Sequence, residues 1–148
     1  MRIAELRERL LQYHWHPPSV HFHSALFPIA ALLVIIYLPT REGSLEKAAF
    51  YLLGFAVLLL LGSILAGLFD WRTKYKSART KVFQSKIRLS FVLLGLGLAL
   101  LIWRGTAPRL MEASTISQGL YTAGLVVATM LVVRIGYLGG KLIFRRGR

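Results

Sequence analysis

A chain of 148 residues suits a single domain, yet with 55% hydrophobic and only 17% charged residues it departs from soluble domains, where about a quarter are charged. The charges gather in short clusters between long apolar runs, which excludes an amphipathic soluble fold and points to membrane spans. The net charge of +13 fits loops that face anionic lipid better than a nucleic-acid surface, and the lack of cysteine excludes disulfides, thiolate metal sites and iron–sulfur clusters.

Met1 to Tyr13 places Ile3, Leu6, Leu10 and Leu11 at helical spacing between charged residues, and predicts a short interfacial helix over residues 1–15. His14-Trp15-His16-Pro17-Pro18 then starts span one, about Pro18–Leu38, because proline in a first helical turn gives up no needed donor. Pro28 inside this span predicts a kink or a freed carbonyl near Ser24. Span two is expected over about Ala48–Phe69, ending at Asp70-Trp71. The loop beyond it holds Arg72, Lys74, Lys76, Arg79, Lys81, Lys86 and Arg88 with no acid. Span three, about Ile87–Trp103, is short unless its helix begins in that loop and the long cations snorkel outward. Span four is expected over about Gln118–Leu138, before Lys141, Arg145, Arg146 and Arg148.

These elements make an all-α membrane protein, a four-transmembrane-helix bundle with a short N-terminal interfacial helix, forming one membrane domain over residues 1–148. One side carries only Arg41, Lys47, Arg104 and Arg109, so the positive-inside rule puts both termini in the cytoplasm. Small residues at Gly54, Gly62, Ser63, Ala66 and Gly67, and at Ala123, Gly124 and Ala128, suit close helix contacts within the chain or with a partner subunit.

All four histidines, His14, His16, His21 and His23, fall at the basic face, along with Asp70, Trp71, Arg134, Tyr137 and Lys141. The opposite face is expected to hold only short connections. One reading of the collected groups is a cofactor site of His16, His21, His23, Asp70, Trp71, Arg134 and Tyr137, in which His and Asp exchange protons and the aromatic rings hold a quinone headgroup. The other is an ordinary interfacial belt with wet histidines and Asp70 paired to a nearby cation. Arg134, flanked by Val132, Val133 and Ile135, needs a partner or a route to water, and Asp70 is the natural candidate.

A haem b is the other cofactor considered, although His21 and His23 project to different sides of a helix and spans two to four lack histidine, so bis-His ligation within one chain is disfavoured. The histidine spacing also lacks the further ligands of a zinc site. No phosphate loop, nucleophile elbow or HExxH is present, which favours a subunit over an enzyme acting as an isolated chain.

Three stretches carry a family resemblance: His16-Pro17-Pro18-Ser19-Val20-His21-Phe22 with Phe27-Pro28-Ile29-Ala30, Gly67-Leu68-Phe69-Asp70-Trp71, and Gly136-Tyr137-Leu138-Gly139-Gly140-Lys141-Leu142-Ile143-Phe144-Arg145. In that order the chain resembles the bacterial membrane family called domain of unknown function 2231. The resemblance implies a four-helix domain of the bacterial inner membrane, related to di-haem cytochrome b-type bundles, with a redox role. Its first-motif histidines correspond to His16 and His21 and its span-two aspartate to Asp70. Residues His23-Ser24-Ala25-Leu26 are inserted relative to the first motif, and the histidine of many relatives near the start of span three is absent. The expected function is a small membrane subunit of a respiratory or redox assembly, partnered by the lipid bilayer and by other membrane subunits. The alternatives are a scaffold acting through the basic face and, last, a transporter, for which paired broken helices and an inverted repeat are missing.

Overall fold

The computed structural model describes residues 16–73, 76 and 80–144, with side chains between 22 and 141. The proposed interfacial helix, part of the basic loop and the C-terminal arginines lie outside the described residues. Helix α1 covers His16–Thr40, α2 Gly43–Thr73, α3 Lys81–Thr106, α4 Leu110–Ala113 and α5 Thr115–Phe144. Four of them are long and apolar enough to cross a membrane, over Phe22–Thr40, Gly43–Thr73, Lys81–Thr106 and Thr115–Lys141. Helix α1 packs on α2, α2 on α3, α3 on α5, and α5 closes the ring against α1. The protein is therefore an all-α membrane bundle, with the starts of α1 and α3 and the ends of α2 and α5 at its basic face.

Local chemistry sets the boundaries. Helix α1 runs unbroken through Pro28 and Pro39. It stops where Arg41 takes a left-handed φ of 57° and its N–H bonds the Tyr37 carbonyl at 2.8 Å. That conformation costs a residue with a Cβ about 1–2 kcal/mol. Glu42 then accepts from the Ser44 N–H at 3.4 Å, placing an acid at the positive end of α2. Helix α3 begins at Lys81, inside the basic loop, because Thr80 caps it by accepting from the Phe83 N–H at 3.3 Å. Pro108 follows the end of α3, and Ser114 caps α5 by accepting from the Ser117 N–H at 3.1 Å.

The buried residues of the long helices recur in heptads. In α2 they are Glu46, Leu53 and Leu60 interleaved with Ala49, Ala56 and Ser63; in α5 they are Gln118, Leu125 and Val132 interleaved with Tyr121, Ala128 and Ile135. A 3.5-residue repeat of this kind keeps one seam facing its neighbour along the whole helix. Lipid supplies no hydrophobic drive for helix association, so close packing of small residues carries much of it. A Cβ on Gly97 would lie 2.9 Å from Val57 Cγ2, and one on Gly124 would lie 2.7 Å from Leu100 Cδ2. Gly124, Ser63 and Ala128 thus pack as the small-residue pattern anticipates. Gly62 and Ala123 instead face outward, Gly62 into open space beside exposed Leu58, Leu61 and Leu65.

Candidate functional site

Helices α1 and α2 meet at an imidazole. His23 is 4% exposed, and its Nδ1 lies 3.1 Å from Ser63 Oγ. Either atom donates, depending on the tautomer, so the pair accommodates a proton on either ring nitrogen. The contact also fixes a register. One heptad further into the bundle, Ala30 and Ala56 occupy matching positions, and one more reaches Tyr37 and Ala49; all four are buried. One heptad toward the basic face, the corresponding backbone positions are His16 and Asp70.

The remaining predicted residues divide between inside and outside. Asp70 and Trp71 are half-buried at the end of α2. Arg134 and Tyr137 are exposed on the outer face of α5, where the Arg134 guanidinium lies 5.8 Å from the Tyr137 ring centroid and Lys141 Nζ lies 4.6 Å from it. Among the described residues, Arg134 thus meets an aromatic ring and not the Asp70 carboxylate. The side chains of His16 and His21 lie outside the described residues. His23 stands apart from the reading of wet interfacial histidines, since burial and a serine partner hold it inside the bundle.

The opposite face holds the short connections expected of it, residues 41–42 and 107–114, and beside them a buried polar cluster that the sequence pattern did not indicate. Arg104 of α3 makes a two-pronged ion pair with Glu46 of α2, from Nε to Oε1 and, at 2.7 Å, from Nη2 to Oε2. The guanidinium also sits 5.6 Å from the Phe50 ring centroid. Nearby, Trp103 packs edge-on against buried Tyr121, with ring centroids 6.4 Å apart. Gln118 donates to the Met111 carbonyl at 2.8 Å and accepts from Arg41 Nη1 at 3.1 Å. The Tyr37 hydroxyl reaches the same carbonyl at 3.5 Å. These bonds anchor α4, whose Leu110 and Met111 are buried, over this end of the bundle. The heptad in α2 carried the missed signal: extended back from Leu60 and Leu53 it lands on Glu46, a seam position and not a loop charge.

Among the described residues, the bundle centre is filled by side chains and leaves no haem-sized space. Phe27, Val34, Leu53, Leu93 and Leu125 fill the centre, and the space beside Gly97 is closed by Val57 and the Phe27 ring. Among the described residues, no three His, Asp or Glu come together to hold a metal ion.

A family model described as a predicted membrane protein of the DUF2231 group matches residues 14–147. The chain belongs to that family. Comparison with curated proteins and with solved structures finds no match. Within this DUF2231 member, the helix that carries His16 to Ala30 continues unbroken through His23-Ser24-Ala25-Leu26.

Proposed function

We propose that this DUF2231 protein is a small membrane subunit of a bacterial redox assembly, handling protons for a quinone at its basic face, which the positive-inside rule puts in the cytoplasm. The observation that carries this reading is the buried His23–Ser63 pair. An ionisable side chain inside a membrane bundle is costly and marks proton or ligand pathways, and imidazole changes charge near physiological pH. Further support comes from the seam itself, where the backbone positions of His16 and Asp70 lie about 10 Å nearer the basic face at a rise of 1.5 Å per residue. A quinone headgroup would dock there beside half-buried Asp70 and Trp71, with the His23–Ser63 pair behind them as the proton store.

Quinone content of gently purified protein tests the reading. Organic extraction of wild type is expected to yield quinone, and His23→Gln is expected to lose most of it while keeping its melting temperature within a few degrees. A quinone-free wild type, or equal content in the variant, would overturn it.

A second reading, a scaffold without a cofactor, is favoured by the outward placement of Arg134 and Tyr137, away from His23, and by the filled bundle centre. Under that reading, charge reversal of Lys74, Lys76 and Arg79 abolishes partner assembly while His23→Gln leaves it intact.

A further inference from the structure

The outer face of α5 carries an unusual pair of cations. Arg134 and Lys141 are one heptad apart, about 10 Å along the helix axis, and both lie over the ring of Tyr137 between them. No carboxylate among the described residues pairs with either. Their surroundings are apolar and outward-facing, with Met130 64%, Val133 67% and Tyr137 55% exposed. All of these positions lie in a helix apolar enough to span a membrane. Two like charges sharing one aromatic ring at the edge of a low-dielectric slab repel each other, and a cation facing hydrocarbon needs a counter-charge.

We infer that Arg134, Tyr137 and Lys141 form a binding site for the phosphate headgroup of an anionic phospholipid. A lipid phosphate resides at the boundary between hydrocarbon and headgroups, where the two cations converge, and its acyl chains lie along Met130 and Val133. The Tyr137 hydroxyl supplies a hydrogen-bond donor to the same phosphate. A free anion would have to leave water to reach Arg134, whereas a lipid is already there; the favoured occupant is therefore the lipid. Its negative charge separates the two cations and adds the attraction of each basic side chain for an anionic leaflet.

Native mass spectrometry of the full chain in detergent, titrated with phosphatidylglycerol or with phosphatidylcholine, tests the site. Wild type is expected to retain phosphatidylglycerol in preference to phosphatidylcholine. Arg134→Gln and Lys141→Gln should each weaken that retention about 5-fold, and the pair together about 30-fold. Arg134→Lys, which keeps the charge, should retain most of the binding, and Arg72→Gln, exposed at the same basic end of the bundle but on a different helix, should change it less than 2-fold. Melting temperatures of all variants should stay close to wild type, because both cations lie on the outer surface. Equal retention of the two lipids, equal loss in Arg72→Gln, displacement of the lipid by millimolar inorganic phosphate, or loss of a co-purifying polypeptide in place of lipid would each overturn the assignment.

Discussion

Removing one member of the Glu46–Arg104 pair is the most informative perturbation of the bundle. The two side chains are 9% and 14% exposed, and the pair joins α2 to α3 with two parallel hydrogen bonds. Glu46→Gln preserves shape and leaves an acceptor for one of those bonds, but it strands a guanidinium left with the Phe50 ring and the weaker pull of the Glu112 charge. Breaking a buried pair in this one-sided way costs about 3–5 kcal/mol. The residual exposure of Arg104 gives the stranded charge access to the interface, which puts the expected loss near the lower limit, about 3 kcal/mol. Arg104→Gln should cost a similar amount by stranding the carboxylate. The double variant strands neither charge, so its loss should be smaller than that of either single one, with a coupling of about 3 kcal/mol or more. Unfolding by SDS titration, followed through tryptophan fluorescence because Trp103 adjoins Arg104 in sequence, measures all four corners of the cycle. Single variants within about 0.5 kcal/mol of wild type, or a double variant whose loss is the sum of the two, would refute the claim that this pair is a buried, coupled unit.

Gly97→Val should destabilise by about 1–3 kcal/mol through overpacking against Val57 and Phe27, while Gly62→Ala, which meets open space, should stay within about 0.5 kcal/mol; the same SDS titration reads both. Arg41→Ala loses the bond to Gln118 and keeps the left-handed strain, whereas Arg41→Gly loses the bond and relieves the strain, so the glycine variant should be the more stable by about 1 kcal/mol. Ser63→Ala removes a hydrogen-bonding partner of His23, and its loss of about 1 kcal/mol should appear as a shifted SDS midpoint with unchanged helix content by circular dichroism.

Much of the fold was legible because apolar runs of spanning length are dictated by the bilayer. The four long apolar stretches became four long helices, and the short third stretch was extended into the basic loop by the Thr80 cap, as snorkelling lysines allow. The site was legible only in part. Sequence spacing set Arg134 and Tyr137 near His23 along the membrane normal but not around the bundle axis, and that second coordinate decides that His23 faces in and Arg134 faces out. Glu46 and Arg104 were hidden for a different reason: counting charges by loop treats Glu46 as an offset to Lys47, whereas the helix begins at Gly43 and turns Glu46 toward the core. The polar cap of Tyr37, Gln118 and Met111 depends on a backbone carbonyl in the short helix α4, which no side-chain pattern announces.

A photoreactive quinone analogue, irradiated with the protein in bilayers and mapped by peptide mass spectrometry, locates any quinone site on the helices. Label is expected on peptides from the basic ends of α1 and α2, spanning His16 to His23 and Ser63 to Trp71, removed by excess unmodified quinone and reduced in His23→Gln. Label spread along the lipid-facing side chains of α2 and α5, indifferent to competitor and to His23, would contradict that placement.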